Sequence, residues 1–383
     1  MENKRINLFG VYMPKSAAEA VAKTLYTGYV AEDMKNEILL DKNYKLYFTK
    51  RLGTGGFGEI FKGENISTKK QIAIKCEKVK NDNSLLKNEY EILNYLQGGL
   101  GIPKIYEFIS SKKYNFMLFE LLGPNLGELF HFCKKKFSLN TILALGLQML
   151  NRIQFIHSRH IIHRDIKPEN FLVGKGKKMS RIYLCDFGLS KRFRDKKTGM
   201  HIPYSNGKNF TGTATFASVY THLGNEQSRR DDLESLAFIL IYFCKGTLPW
   251  KHLKAKNGSE KQHKIFSQKM NISINDLCLG LPKEFSIFLQ SIRDLLFEQK
   301  PDYDYLKGLL YQMNTDEIPL KEVKFDFMKL FEKKFINNTK NVLLLDNKEE
   351  KNEVINANLS RKETKSNTNN NSHNKDSINK KEQ

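Results

Sequence analysis

With 383 residues, 40% of them apolar, the chain can bury a sizeable core in one large two-part domain or two ordinary ones, so most of it is globular. The net charge of +21 favours phosphorylated or acidic partners, nucleic acid or an anionic membrane surface, although a general Lys-rich bias on a solvated surface accounts for part of the excess. Five scattered cysteines, with no Cys-x-x-Cys pair and an odd one left over, exclude a disulfide framework and a zinc site and fit a reducing compartment. The longest apolar run, Leu236 to Cys244, falls far short of the roughly 20 residues that span a bilayer, and no apolar signal core opens the chain. No membrane span is expected, and the cytoplasm or nucleus is the expected location.

In chain order, residues 1–43 show no clear strand pattern. Ala17, Ala20, Val21, Thr24 and Leu25 make one helical stripe at most, so the segment reads as an N-terminal extension. From Tyr44 the texture changes to short β-rich runs, Tyr44 to Leu52, Glu59 to Glu64 and Gln71 to Val79, separated by a glycine cluster and by Ser67-Thr68-Lys69-Lys70. A helical stretch from Leu85 to Leu96 follows, then strands around Ile105 and Phe116. After Gly123-Pro124 the pattern turns helical, with long stretches near Leu139 to His157, Asp231 to Cys244 and Phe285 to Phe297. The expected architecture is α+β and bilobal, 44–336, with a small β-rich lobe at about 44–120 and a larger α-helical lobe at about 123–336. Residues 337–383 are rich in Asn and Lys and nearly free of aromatic residues, so burial cannot offset the entropy of ordering, and a disordered tail is expected there.

Gly53-Thr54-Gly55-Gly56-Phe57-Gly58 joins the first two strands, and glycines let a backbone approach phosphate oxygens that a Cβ would exclude. The same spacing opens a dinucleotide-binding fold, but there a helix follows, and here a strand does. Ile72-Ala73-Ile74-Lys75 sets a lysine on the third strand, where its ammonium can hold α and β phosphates, and Glu89 on the next helix can pair with it. Then come His163-Arg164-Asp165-Ile166-Lys167-Pro168-Glu169-Asn170 and, beyond one more strand, Asp186-Phe187-Gly188.

Five elements in this order and spacing resemble the signature of protein kinases. Phosphoryl transfer needs metal ions bridging the phosphates, which suits the carboxylate of Asp186 and the amide oxygen of Asn170. It also needs a carboxylate, Asp165, that orients the attacking hydroxyl and takes its proton. Lys167 is placed to neutralise the transferred group. ATP and Mg2+ are the implied cofactors.

A finer resemblance, to the casein kinase I family of serine/threonine kinases, covers about residues 44 to 332. It is carried by Gln97-Gly98-Gly99 with Gly101-Ile102-Pro103, Glu120-Leu121-Leu122-Gly123-Pro124, His201-Ile202-Pro203-Tyr204 and Thr211-Gly212-Thr213-Ala214. Further on it is carried by Thr221-His222-Leu223-Gly224, Ser228 to Ser235, Leu248-Pro249-Trp250 and Lys300-Pro301-Asp302-Tyr303. Like that family, the chain lacks the Ala-Pro-Glu that closes the activation segment of most kinases and has Ala217-Ser218-Val219-Tyr220 instead. The resemblance implies that Glu120 to Leu122 form the hinge that holds adenine, that Ala73 lies in the nucleotide pocket, and that Phe119 is the gatekeeper. It also implies that Asp232 braces the catalytic loop and that Arg164, Lys191 and Lys208 bind an anion. The family's arginine after Thr-Gly-Thr-Ala is replaced by Thr215, which removes a cation from substrate selection; Lys256 or Lys261 can compensate. Acidic or phosphorylated proteins are the implied substrates of a monomeric enzyme. The rival readings are a pseudokinase scaffold, opposed by the intact Lys75, Asp165 and Asp186, and a nucleic-acid binder, for which no zinc finger or aromatic RNA-binding motif is present.

Overall fold

The β-rich runs of the first third form hairpins, because turn residues bound each of them and let the chain reverse. The computed structural model describes residues 5–8, 11–14, 37–40, 42–55, 58–79, 84–316 and 318–333. Strands β1 (Arg5–Leu8) and β2 (Val11–Pro14) pair as a separate antiparallel hairpin. A six-stranded antiparallel sheet follows, in the order β3-β4-β5-β6-β8-β7, built from β3 (Glu37–Leu39), β4 (Tyr44–Gly55), β5 (Gly58–Asn65), β6 (Gln71–Lys78), β7 (Ile105–Ser110) and β8 (Tyr114–Glu120). The reading of residues 1–43 as free of strands is therefore corrected at three places, and β3 adds an edge to the main sheet. Strands of three and four residues are too short to show an alternation. The helical stripe at Ala17 to Leu25 lies outside the described residues.

One face of the sheet buries Leu46, Phe61, Ile72, Ile74 and Leu118 as a small core, each such side chain contributing about 1.5–3 kcal/mol. Helix α1 (Leu85–Tyr95) is started by Ser84, whose hydroxyl accepts from Lys87 N at 3.0 Å, and it buries Leu86, Glu89 and Leu93. A carboxylate on that apolar face requires a partner, and the partner proves to be functional.

The second lobe is helical: α2 (Leu126–Phe132), α3 (Leu139–Ser158), α4 (Val219–His222), α5 (Arg229–Lys245), α6 (Gly258–Asn271), α7 (Ile274–Cys278), α8 (Lys283–Arg293) and α9 (Tyr303–Gln312). Between α3 and α4 lie the short strands β9 (Ile161–Ile162), β10 (Phe171–Val173), β11 (Ile182–Leu184) and β12 (Lys191–Arg192), paired β10 with β11 and β9 with β12. Every residue of α5 from Arg229 to Phe243 is buried: its second half is apolar on all sides, and its charged first turns are buried because their side chains are bonded. A capping box of Ser228 and Asp231 starts it, and Gly246 at φ +77° ends it. Phe130, Phe137, Tyr242 and Phe243 pack as a ring cluster with centroids about 5 Å apart around it.

The helix expected to run on to Phe297 stops at Arg293. Arg230 on α5 takes the Leu295 carbonyl at 2.9 Å and Arg229 takes that of Glu298, so the chain beyond α8 bonds to arginines in place of its own next turn. The bilobal α+β architecture expected from the sequence is thus the one observed. The chain divides into two units, Met1–Met328 and Lys329–Gln383. The described residues of the second, 329–333, are helical, and the tail expected at 337–383 lies outside the described residues. Among the described residues no helix is long and apolar enough to cross a membrane.

Candidate active site

A cleft of about 550 Å³ separates the sheet from the helical lobe, lined on one side by Leu52, Gly53, Ile60, Ala73 and Lys75 and on the other by Lys167, Asn170, Leu172 and Asp186. Of the glycine run, Gly53 lines the cleft and Gly55 pairs with Gly58 across the β4–β5 ladder. A Cβ on Gly58 would collide with the Cys76 carbonyl on β6, so the start of β5 lies this close to β6 only with glycine there. Gly56 and Phe57 lie outside the described residues.

Lys75 sits mid-sheet, opposite Ile60 on one side and Met117 on the other. Its Nζ donates to Glu89 Oε2 and to Asp186 Oδ1, both at 2.7 Å, and the side chain is only 2% exposed. Burial alone would strip the proton from this ammonium, but the two carboxylates hold its pKa above the ordinary lysine value. Burial also pushes the Glu89 carboxyl up, against the pull of Lys75. Lys75 likewise more than reverses the effect of burial on Asp186, whose carboxyl lies below the usual range. One cation thus ties the sheet, α1 and the Asp186 loop together.

Across the cleft, Asp165 is almost fully buried and accepts at both oxygens. Lys167 Nζ donates to Oδ2 at 2.6 Å and Thr213 Oγ1 to Oδ1 at 2.7 Å, while Asn170 Nδ2 donates to the Asp165 carbonyl at 2.9 Å. Asn170 therefore spends its N–H groups on the loop, which leaves its amide oxygen as the atom suited to a hard cation. Among the described residues no cluster of three or more His, Cys, Asp or Glu stands ready to hold a metal alone. Asn170 with Asp186 fits a cation that takes most of its oxygens from phosphate and water.

Arg164 and Asp186 have left-handed backbones, at φ +66° and +62°, a conformation that costs about 1–3 kcal/mol in a non-glycine residue. Asp232, fully buried on α5, holds the first of them by accepting from His163 N at 2.7 Å and Arg164 N at 2.8 Å. His157 Nε2 donates to the same carboxylate at 2.8 Å, and its Nδ1 meets Tyr303 OH at 2.7 Å. Burial would raise the Asp232 carboxyl, but the His157 bond and the loop amides hold it below its ordinary value. His163 Nε2 donates to the Cys185 carbonyl at 3.0 Å, and its ring packs on Phe187, so both left-handed corners lean on one imidazole. The bracing by Asp232 that the resemblance implied is present. Gly212, at φ +108°, lies so close that a Cβ would come within 2.6 Å of the Arg164 carbonyl.

Phe119 and Glu120 lie on β8, with Phe119 opposite Ala73, and both line the cleft together with Leu122. The Glu120 side chain bonds Lys178 at 3.1 Å and the Lys104 amide at 3.2 Å. The three cations of the expected anion site converge, but on a carboxylate. Lys191 lies 2.8 Å and Lys208 3.7 Å from Glu226, and Arg164 is within its field while its Nε donates to the Leu189 carbonyl. Lys256 and Lys261 are exposed and do not line the cleft. The cation on the cleft wall near Thr215 is Lys251, its Nζ held by Tyr242 OH at 2.6 Å and lying over the Tyr242 ring.

Sequence reasoning missed Thr213, His157, Tyr303, Glu226 and Lys251 as parts of this site. Thr213 and Tyr303 both lie in stretches that carry the family resemblance, which was a usable signal; the others are ordinary residues until folding brings them in. A family model described as Protein kinase domain matches residues 46–304, a span that includes Lys75, Glu89, Asp165, Asn170, Asp186 and Asp232. With the lysine, the two aspartates and the asparagine in their places on the fold, the chain belongs to the protein kinase family.

Proposed function

We propose that the chain is a serine/threonine kinase of the casein kinase I type, acting on acidic or already phosphorylated proteins in the cytoplasm or nucleus. What supports this is one cleft that presents Lys75, paired with Glu89 and Asp186, opposite Asp165, bonded to Lys167 and Thr213. Asp165 orients a serine or threonine hydroxyl and takes its proton while the oxygen bonds the γ-phosphorus of ATP and ADP departs with the bridging oxygen. Lys75 binds the α and β phosphates, Lys167 balances the charge on the group in transfer, and the Glu120 to Leu122 backbone takes adenine. Asn170 and Asp186 would hold Mg2+, which when bound neutralises the phosphates. A pseudokinase scaffold would leave this constellation without use. A nucleic-acid binder would lose affinity steeply with salt, which titration against DNA or RNA reads directly.

Thr215 sets the substrate test. Its hydroxyl cannot offer the bidentate charged fork of an arginine, and a charge-assisted hydrogen bond is worth about 1.5–3 kcal/mol. The preference for a peptide carrying an upstream phosphate over its unphosphorylated twin is therefore expected to be roughly ten- to a hundredfold stronger in Thr215→Arg than in the wild type. Measuring kcat/KM on both peptides decides it. A strong wild-type preference that the substitution leaves unchanged would assign the cation to another residue, Lys251 first.

Phe119 gives a test of the pocket. Its ring closes the space behind the adenine position more fully than an unbranched side chain would. Inhibitors that extend into that space are expected to bind Phe119→Gly at least about tenfold more tightly than the wild type, given about 0.3 kcal/mol or more per added ligand atom. Equal inhibition of both forms would show that the ring does not block the cavity.

A further inference from the structure

Lys269 is one of only two buried residues of the mostly polar helix α6, the other being Ile265, and it has no exposed surface at all. Its Nζ donates to the carbonyls of Ala217 at 2.5 Å and Ala214 at 2.9 Å. The ammonium also lies 4.9 Å from the Phe238 ring centroid and 5.2 Å from that of Trp250. Trp250 in turn donates its indole N–H to the Thr215 carbonyl at 2.8 Å. Three carbonyls within four residues are thus gripped from beneath by two side chains of the helical lobe.

The gripped stretch is the turn that carries Thr213 and Thr215 on the cleft wall. Its own backbone bonds, Phe216 N and Ala217 N to the Thr213 carbonyl at 3.0 and 2.9 Å, close the turn but do not fix it to the lobe. At one end Thr213 bonds Asp165 and lies 3.3 Å from Lys167 Nζ. At the other, Ser218 caps α4 and bonds Asp231. This is also where the chain lacks the Ala-Pro-Glu closure of most kinases. His222, whose Nε2 reaches the Ala214 carbonyl at 3.2 Å, is kept neutral, since burial and Lys269 hold its imidazole down at about 4. Burial pulls Lys269 down to about 7, with Glu234 opposing and Arg293, bonded to Glu234 at 3.0 Å, adding to the fall; the Lys269 N–H groups donate to the two carbonyls in either protonation state.

A buried ammonium is costly unless its hydrogen bonds are made, and a methionine would fill the same space without that cost. What the methionine lacks is a donor for two carbonyls that point the same way. We propose that Lys269 is a positioning residue for the protein substrate: it holds the Thr213 to Ala217 turn against the lobe, in the place of the missing closure, so that the peptide meets a fixed surface beside Asp165. It touches neither ATP nor the reacting atoms. The inference rests on the protein kinase activity of the family and not on the finer substrate reading, so it stands whichever acidic or phosphorylated substrate is preferred.

The test uses the full chain with casein and Mg-ATP, comparing Lys269→Met and Lys269→Arg with the wild type; wild-type transfer to casein is read first, and its absence would overturn the activity reading separately. Lys269→Met is expected to raise KM for casein about tenfold or more, as losing one charge-assisted hydrogen bond implies. KM for ATP should stay within about threefold, and Lys269→Arg, which keeps a charged donor, should recover most of the casein affinity. A folded Lys269→Met with unchanged casein KM, or with casein and ATP affinities falling together, overturns the proposal. If Lys269→Met does not fold, Lys269→Gln keeps an N–H donor and is read by the same two KM values. Failure of both to fold would make the lysine a structural group only and would also overturn it.

Discussion

Asp165→Asn is expected to lower kcat for casein phosphorylation by about a hundred- to ten-thousandfold, the range a positioned base contributes, while ATP affinity changes little. The structure says why the swap is damaging beyond the lost base. Both carboxylate oxygens accept, one from Thr213 and one from Lys167, and an asparagine can serve only one of them. Its amide N–H2 can donate to the Thr213 hydroxyl once that hydroxyl rotates, but turned toward Lys167 it faces the ammonium donor against donor. Asp186→Asn differs in kind: it halves the anionic partner set of Lys75 and weakens the metal position, so nucleotide affinity should fall along with kcat. Radiolabel transfer gives the rates and nucleotide titration the affinities. Undiminished transfer by either variant would remove the role assigned to that residue, provided the melting temperature confirms a folded protein.

Asp232→Asn should produce the largest loss of stability. Three donors converge on that carboxylate, His163 N, Arg164 N and His157 Nε2, and the amide can accept for only one oxygen's share of them. Breaking a buried charged group of this kind costs about 3–5 kcal/mol, a large part of a typical 5–15 kcal/mol total. A fall in Tm of roughly ten degrees is expected, with loss of activity because the left-handed Arg164 corner loses its anchor. The pH dependence carries a sign. Because the folded Asp232 carboxyl lies below its ordinary value, its contribution is present above the unfolded carboxyl pKa of about 4 and is lost only as pH falls through the still lower folded value. The gap in stability between wild type and Asp232→Asn should therefore be flat from neutral pH to about 5 and narrow in acid. A gap that closes near neutrality would point to His157 as the titrating group instead.

Much of the site could be read from the chain because its chemistry is carried by rare combinations at short range. Asp165, Lys167 and Asn170 lie within one loop, and Asp186 is followed by Phe-Gly, so their spacing survives any rearrangement of the rest. Lys75 and Glu89 were readable because one lies on a strand and the other on the following helix, and the sheet register leaves the lysine little choice of direction. Lys269 shows the opposite case. In sequence it is one lysine among several on a polar helix, where solvation is the ordinary expectation, and only the packing of α6 beneath the Ala214 and Ala217 carbonyls makes it interior. The early end of α8 was hidden for a similar reason. Its apolar spacing continues past Arg293, but two arginines of another helix bind the Leu295 and Glu298 carbonyls and draw the chain there out of a helical path. Glu226 sits far along the chain from Lys191, and no local pattern foretold that it would stand among the anion-site cations.

Beside Lys191 and Lys208 that carboxylate is a resident counterion, and any anion bound at the site the resemblance implies would have to displace it. Burial would raise Glu226, yet Lys191 and Lys208 keep it charged, so the cations are never bare. A visiting anion must outcompete a tethered one whose effective concentration is high. Chloride or a single peptide carboxylate gains little by the exchange, whereas a dianionic phosphate, with more charge and three acceptor oxygens, can draw the lysines over. In such a site the glutamate would act as a threshold, favouring phosphate over the abundant weaker anions.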